Sequence, residues 1–513
     1  MNSSTPLRGI ILQPRRVGFL PPSRREESEG SVIVGLLWCL ALLSVLVVGI
    51  LHSATLDLRV TKNLGDQIQA RYLAIAGLEK AKALLYHEAW ERRRSRVNHS
   101  GKLYNAPEEF RDIPMGRGSF RVIRQAARGE SPGLIHGVVD EESKLNLNHA
   151  TEEELGKLEK VTVEEVAAIL DYKDGDHNVR QGGAESEQYA ALQPPYLPHN
   201  GPFRSVREVL MVRGLSGDLF LGEDANLNGL LDPEEDDGSN SDPVDNSDGF
   251  LDAGWSAWIT PDSQVRNVNA AGQQRVNIQQ ADESALAEVP GLTEDLARAI
   301  VQYRNNNPFE NLTDLMNVTA PAQGNPSGPN GPQQPGSRPP NERRQLGGTP
   351  PTVRQRTTAT TATTATGRPS NPQPPPGNNR GGQRLISEDL FMDIADDITV
   401  ESDADLPGRV NINTASIDVL ACLPGLDRDI AQNIINERSS SGFFPNIAHL
   451  LRVPDINREL LQRLAPRITV RSQTFRVVSE GRIHSTGARQ RIEATIRIGT
   501  FYVDTLSYRE DDL

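Results

Sequence analysis

A run of twenty residues without a charge, at positions 31–50, constrains this chain more than any other segment. As an α-helix the run measures about 30 Å, which is the thickness of one bilayer core. Arg24 and Arg25 lie just before it, and flanking cations favour the cytoplasmic side of a membrane. The run is longer than the apolar region of an ordinary signal peptide. The sequence therefore predicts a single membrane span with a cytoplasmic amino terminus.

The segment after this span keeps helical character. No proline occurs between residues 31 and 106. Apolar residues recur there at steps of three and four, the period of an amphipathic helix; they are Tyr72, Ile75, Ala76, Leu78, Ala81, Leu84 and Leu85. We expect one continuous helix of about 60 residues, with residues 31–52 in the membrane and residues 53–99 beyond it.

Composition narrows the class of protein. The 513-residue chain has a formal net charge of −14 and two cysteines. A single apolar run excludes a polytopic membrane protein, and two cysteines exclude a disulfide-stapled scaffold or a cysteine-rich zinc protein. The negative charge argues against a wholly basic nucleic-acid binder, because neutralising phosphates requires cationic surface. No nucleophile elbow, phosphate-binding loop or HExxH motif occurs, so we expect no enzyme.

The negative charge is concentrated in one region. Residues 222–252 contain eleven acids and no lysine or arginine, and we treat residues 222–254 as a calcium-loop region. Within it, residues 224–235 fit the twelve-residue EF-hand loop, with Gly229 at the sharp turn. The oxygen donors of this first acidic loop are Asp224, Asn226, Asn228, the backbone carbonyl of Leu230, Asp232 and Glu235. Six spaced oxygen donors predict a structural Ca²⁺ site rather than a merely solvated loop.

A second acidic loop, residues 245–252, repeats this pattern in part. Asp245, Asp248 and Asp252 supply carboxylates, but Trp255 stands where the glutamate of position twelve belongs. The sequence leaves open whether this segment is a second calcium site or a solvated loop.

One helical unit occurs three times in the chain. Residues 275–318 and 409–466 are two similar copies, and residues 144–221 are a more divergent first copy. Each copy predicts a short helix, a turn, a second helix and a third helix after a phenylalanine. The first copy also holds about 25 additional residues before Pro202.

These units resemble the tandem helix-hairpin-helix module, whose turn amides often bind a DNA phosphate. The turns here are formed by Pro290 and Gly291 and by Pro424 and Gly425. DNA-binding versions usually have a second small residue in the turn, whereas here Asp427 would place a carboxylate near the phosphate. We therefore favour a structural helical domain and expect no nucleic-acid partner.

The start of the apolar run carries a second resemblance. Gly30 ends a polar, arginine-containing leader, residues 1–30, and directly precedes the run. In this the chain resembles type IV pilin-like proteins, whose leader a prepilin peptidase removes after such a glycine, so that Ser31 becomes the amino terminus. Most of these proteins have glutamate at the fifth mature position, where this chain has Gly35. That departure is typical of the K-type minor pseudopilins (GspK) of type II secretion, which the chain resembles over most of residues 24–510.

This resemblance implies a fold, a location and partners. The fold class is α+β: a pilin-like long amino-terminal helix, an antiparallel sheet and a large inserted helical domain. The protein would sit in the inner membrane with its bulk in the periplasm, cap the pseudopilus tip and aid protein export. Its partners would be the I- and J-type minor pseudopilins, the inner-membrane platform of the secretion machine and the prepilin peptidase. The resemblance also implies calcium bound by Asp174, Asp176 and Glu185 in the insertion of the first unit.

Strand-like segments frame the helical units. Alternating and β-branched residues predict strands at 118–123 and 134–139 and again at 473–479, 491–498 and 501–506. Residues 103–143 would give the first strands of the sheet and residues 468–510 the last. Residues 319–384 hold eight arginines and one acid among proline, glycine and threonine, which predicts a disordered linker or a basic tether.

Two other hypotheses stay open. The chain could be a membrane-anchored DNA receptor of a competence-type machine that uses the helix-hairpin-helix units. It could also be a calcium-dependent surface adhesin in which the apolar run is a plain anchor.

Overall fold

The computed structural model describes residues 29–96, 101–126, 130–240, 245–320 and 384–512. The α-helices are α1 (Glu29–Ser95), α2 (Pro107–Phe110), α3 (Glu152–Leu155), α4 (Val163–Lys173), α5 (Ser186–Ala190), α6 (Gly217–Leu221), α7 (Glu283–Ala287), α8 (Glu294–Arg304), α9 (Glu388–Ile394), α10 (Ile417–Cys422), α11 (Arg428–Ser441) and α12 (Arg458–Leu464). The strands are β1 (Ile113–Met115), β2 (Gly118–Gln125), β3 (Leu134–Ile135), β4 (Val139–Asp140), β5 (Leu145–Asn146), β6 (Ile259–Thr260), β7 (Gln264–Arg266), β8 (Val276–Asn277), β9 (Ile398–Thr399), β10 (Asp405–Pro407), β11 (Val410–Asn411), β12 (Ile468–Thr469), β13 (Thr474–Ile483), β14 (Arg489–Ile498) and β15 (Val503–Asp512).

Helix α1 is a single element of 67 residues, which confirms the predicted long amino-terminal helix. By length and composition it is the one helix among the described residues that could cross a membrane, and no part of its apolar window is buried. Gly30 and Ser31 lie in its first turn, and Gly35 faces open space. The predicted leader before residue 29 lies outside the described residues.

The outer half of α1 packs on the sheet through small and aliphatic side chains. The most buried of these are Ala70, Leu73, Ala74, Leu78, Ala81 and Leu85. Tyr72, which the periodicity placed in the buried stripe, is 62% exposed. Leu78, Ala81 and Leu85 of the predicted stripe are buried, but near Tyr72 the contact face passes through Leu73 and Ala74 instead. At Gly481 of β13 a Cβ atom would lie 2.0 Å from the Ala70 carbonyl, so this close approach requires glycine.

One antiparallel sheet joins the early and late parts of the chain. Its strand order is β1-β2-β13-β14-β15, with β3 paired to β2 and β4 to β13. Because β13 pairs directly with β2, the residues between β4 and β13 form an insertion within the sheet. The α+β class is therefore confirmed. The last strand extends to Asp512, beyond the predicted end at residue 506.

The three helical units share one backbone pattern. Each opens on a two-residue strand that pairs in parallel with a later one: β5 with β6, β8 with β9, and β11 with β12. In each opening strand an asparagine side chain accepts a hydrogen bond from the amide two residues on, at 2.9–3.0 Å; these residues are Asn146, Asn277 and Asn411. The helix predicted after each phenylalanine is instead a six-residue 3₁₀ helix.

The second unit does not end at residue 318. Thr319 forms an antiparallel bridge with Arg384, so the chain returns to the point that it left. Helix α9 and strand β9 then close the unit as α12 and β12 close the third. Residues 321–383 of the predicted linker lie outside the described residues.

The calcium-loop region is an excursion within the first unit, between α6 and β6. The three units have one apolar core in common, and α1 and the sheet have another. Leu230 of the calcium-loop region packs against Ile123 and Val478 of the sheet. The region therefore covers the face of the sheet that α1 does not.

Candidate calcium sites in the first helical unit

The first acidic loop curls around the carboxylate of Asp224. The amides of Asn228 and Gly229 donate to its two oxygens at 3.0 and 2.9 Å. Leu227 and Gly229 have φ angles of 54° and 68°, so the backbone turns sharply at the position where the loop pattern requires glycine. Asp224 is therefore held as the first ligand of such a loop would be.

The other end of the loop closes on the same point. The Glu235 carboxylate accepts hydrogen bonds from the amides of Ala225, at 3.0 Å, and Asp232, at 3.2 Å. The side-chain amides of Asn226 and Asn228 both donate to Asp232 Oδ2, at 2.9 and 2.6 Å. The five predicted side-chain donors thus lie in one connected network. Leu230, predicted to offer its carbonyl, donates its own amide to Asn228 Oδ1.

Two carboxyl groups of this loop are buried at an energetic cost. Glu235 and Asp224 are each 3% exposed. Burial and the nearby charges of Asp224 and Asp232 raise the pKa of Glu235 to about 7. Burial also raises the pKa of Asp224, although amide hydrogen bonds act in the opposite direction. A divalent cation among these oxygens would offset the repulsion between them.

The sheet provides the base on which this loop rests. Arg509 donates to the Leu227 carbonyl at 3.3 Å, and Gln125 accepts from the Leu231 amide at 3.2 Å. Arg491 lies 3.9 Å from Asp232. The loop is therefore fixed to β2, β14 and β15 rather than projecting into solvent.

The second acidic loop reproduces the backbone turns of the first. Asp248 donates its amide to Asn246 Oδ1, and Phe250 donates its amide to Asp248 Oδ1, both at 2.9 Å. Trp255, in the place of the missing glutamate, points away into the core of the units, where its Nε1 donates to the Glu159 carbonyl at 2.9 Å.

Two acids that the sequence pattern missed complete the second loop. Glu223 accepts hydrogen bonds from the amides of Asp252, at 2.8 Å, and Asn246, at 3.3 Å, as Glu235 does in the first loop. Asp236 accepts from the Gly249 amide at 3.3 Å, as Asp224 accepts from Gly229. Both acids precede the loop in the chain, so no linear spacing reveals them.

Asp245 makes different contacts from those that the sequence pattern suggested. Its carboxylate accepts from the amides of Asp237 and Gly238, at 3.0 and 2.8 Å. It therefore closes the turn between the two loops, whereas Asp248 and Asp252 lie within the second loop itself.

A third group of acids lies in the insertion of the first unit. Carboxylate oxygens of Asp174, Asp176 and Glu185 all lie within 4.8 Å of one another. Asp174 Oδ1, Glu185 Oε1 and Asn200 Oδ1 are buried and have no hydrogen-bond donor among the described residues. Asn200 lies beside the carboxylates, since its Nδ2 donates to Glu185 Oε2 at 3.2 Å. A carboxylate cluster with orphaned buried oxygens fits a cation with oxygen ligands. Asn200, some fifteen residues after Glu185, was not predicted from the sequence.

The charges around this third group are partly compensated. Arg180 bridges Asp171 and Asp174 with contacts of 2.5 and 2.6 Å. Burial and the charges of Asp171 and Asp174 still raise the pKa of Glu185. The oxygen ligands present therefore suit Ca²⁺. The neighbouring His177 lies 4.0 Å from Glu185, but its side chain is 79% exposed.

The helix-hairpin turns face their own units. Gly291 and Gly425 have φ angles of 96° and 76°, and Lys160 holds the same left-handed position, φ 60°, in the first unit. A Cβ atom would lie 3.1 Å from Ile394 of α9 at Gly291 and 2.7 Å from Leu460 of α12 at Gly425. The closing helices therefore pack against the turns.

The first unit also has recognisable relatives. Residues 144–221 match the family described as type II secretion system, protein K. The chain is 25% identical over 201 residues to type II secretion system protein K of Klebsiella pneumoniae and 24% identical over 217 residues to that of Pseudomonas aeruginosa. The chain is therefore similar to type II secretion system protein K. These matches cover 38% and 40% of this chain, and 60% and 65% of those two proteins.

Further comparisons concern the helical units and the whole chain. Residues 271–320 and 408–469 match the helix-hairpin-helix motif, as predicted. The chain is 26% identical over 197 residues to endonuclease/exonuclease/phosphatase family domain-containing protein 1 of Rattus norvegicus, covering 38% of this chain but 28% of that protein. The GspK–GspI–GspJ complex of enterotoxigenic Escherichia coli contains a chain that is 11% identical, with 88% of this chain and 99% of that one covered and a TM-score of 0.41. A TM-score of 0.41 is too low to establish a common fold.

Proposed function

We propose that this relative of protein K is a minor pseudopilin that caps the pseudopilus tip and aids protein export across the outer membrane. The protein K match in the first helical unit carries the proposal. Its role is structural rather than enzymatic.

A physical argument supports the tip position. The helical units are inserted between β4 and β13, and they form a broad body beside the slim helix α1. Such a body would obstruct a subunit stacked above it. Gly35 also lacks the carboxylate that would pair with the terminal ammonium of a neighbouring subunit.

The proposal includes processing and partners. Removal of residues 1–30 after Gly30 by a prepilin peptidase would expose the Ser31 ammonium. The mature helix would then lie in the inner membrane, with the bulk of the chain in the periplasm. I- and J-type minor pseudopilins would pack along α1, and the secretion platform would add the subunit to the filament.

Calcium completes the proposal. The first and second acidic loops and the group around Glu185 would each hold one structural Ca²⁺. Support comes from the buried carboxylates of Asp224 and Glu235 and from the orphaned oxygens of Asp174, Glu185 and Asn200. These segments contribute few apolar side chains to the core, so bound ions would stabilise them instead.

Deletion of the gene in its own host tests the function. Exported proteins should then accumulate in the periplasm while DNA uptake is unchanged. The wild-type gene should restore export, and a Gly30→Glu variant, whose leader the peptidase cannot remove, should not. Unchanged export together with lost DNA uptake would favour the DNA receptor instead.

A further inference from the structure

An arginine-lined cavity lies where the end of α1 meets the second and third helical units. It has a volume of about 50 Å³, several times what one water molecule needs. Among the described residues, six arginines and no aspartate or glutamate line it; the arginines are Arg92, Arg93, Arg266, Arg275, Arg409 and Arg471.

The repeat architecture brings these cations together. Arg275 and Arg409 are equivalent residues that directly precede the opening strands of the second and third units. Arg471 follows the closing strand of the third unit, and Arg92 and Arg93 lie in the last turns of α1. Five of the six therefore come from fixed points of the fold.

The carboxylates nearby do not balance this charge. Asp396 Oδ1 is shared by Arg275, at 3.2 Å, and Arg471. Its other oxygen accepts the Ala270 amide at 2.8 Å, and Glu401 pairs with Arg409 at 3.0 Å.

The other arginines of the cavity have still fewer carboxylate partners. Arg93 and Arg266 both bind oxygens of Thr500, and neither is paired with a carboxylate among the described residues. Glu88 attracts Arg92, and Asp397 attracts Arg275. In the part of the chain that the structure describes, four acids thus face six guanidinium groups.

The pKa values of the cavity arginines agree with an excess of positive charge. Burial lowers the pKa of Arg275 and of Arg409 to about 10. Burial, followed by the charges of Arg275 and Arg92, lowers the pKa of Arg471 well below its ordinary value. A bound anion would relieve this repulsion.

We propose that this cavity binds one small tetrahedral dianion of the sulfate or phosphate class and that the anion joins the end of α1 to the second and third units. Guanidinium forks suit such oxygens, since each can donate two parallel hydrogen bonds. The anion comes from solution, because Arg92 lies about 60 Å along α1 from Ile50, beyond reach of the headgroups of the membrane that α1 would span.

Titration calorimetry of the full chain in detergent tests this inference, with sodium sulfate as the probe and chloride holding the ionic strength constant. We expect one sulfate per chain. Arg93→Gln should weaken binding by roughly tenfold, since one charge-assisted contact is lost. Arg489→Gln, at an exposed arginine elsewhere in the sheet, is the matched control and should bind as the wild type does.

A second variant distinguishes loss of the binding site from misfolding of the chain. Arg266→Gln changes an exposed side chain and should weaken sulfate binding in the same direction while the far-ultraviolet circular dichroism is unchanged. No saturable heat, or equal affinity in the wild type and both cavity variants, would overturn the proposal.

Discussion

The two acidic loops reach a similar arrangement of oxygens by different routes. The first takes its donors from twelve consecutive residues, 224–235. The second lacks both ends of that pattern and uses Glu223 and Asp236 instead. These two acids directly flank the first loop, so folding of the first loop positions the ends of the second. Under the calcium proposal, two loops that share a boundary in this way should bind their ions as one unit.

Removing calcium should have the largest effect, because it empties both loops and the group around Glu185 at once. With EGTA, the midpoint of thermal unfolding should fall by about 2–4 °C, given about 2–3 kcal/mol from bound ions. Hydrogen exchange should increase in residues 222–254 and not in α10–α12 of the third unit, whose core is apolar. If hydrogen exchange increased equally in residues 222–254 and in α10–α12, the ions would not act locally.

Glu235→Gln should remove the first site and weaken the second. Loss of the bidentate ligand at position twelve should reduce calcium affinity by roughly 100-fold. Calorimetry measures this, and Glu234→Gln, at the exposed neighbouring residue, is the control. If both variants bind calcium equally, the first loop is not a calcium site.

Asp236→Asn should weaken the second site and leave the first within about threefold of its wild-type affinity. Because binding at linked sites is reciprocal, calcium at either loop should raise affinity at the other. Asp237→Asn, one residue further on, is the matched control. If Asp236→Asn leaves the calcium affinity of the second site unchanged, the second loop is a solvated loop and not a calcium site.

The smallest effect should be a pH dependence that belongs to the first loop. The pKa of Glu235 is raised from 4.5 to about 7, so the calcium-free fold binds more protons than the unfolded chain between these values. Its stability should therefore fall as pH rises from about 4.5 to 7. Calcium affinity should rise over the same window, since the ligand must lose its proton. Calorimetry at pH 5.5 and 7.5 should detect this in the wild type and find a smaller change in Glu235→Gln.

Local patterns predicted much of this molecule. The uncharged run and the absence of proline predicted α1, and the internal sequence repeat predicted the three units. The spacing from Asp224 to Glu235 predicted the first loop. Each of these features lies within one continuous segment, where periodicity or spacing determines the geometry.

Features that depend on distant residues were missed. Glu223 and Asp236 join the second loop only because the chain folds back across the first. Asn200 joins Glu185 across the insertion, and Arg384 pairs with Thr319 across the linker. Tyr72 has the right period for the buried face, but the position of the sheet decides which face of α1 is covered. The arginine-lined cavity likewise arises where three separate parts of the chain meet.

Native mass spectrometry of the chain purified from the membranes of its host tests the account most directly. One spectrum reports both the amino terminus and the number of bound ions. We expect a chain that begins at Ser31 and carries three calcium ions, two of them in residues 222–254. A chain that keeps residues 1–30, or that carries no calcium, would contradict it.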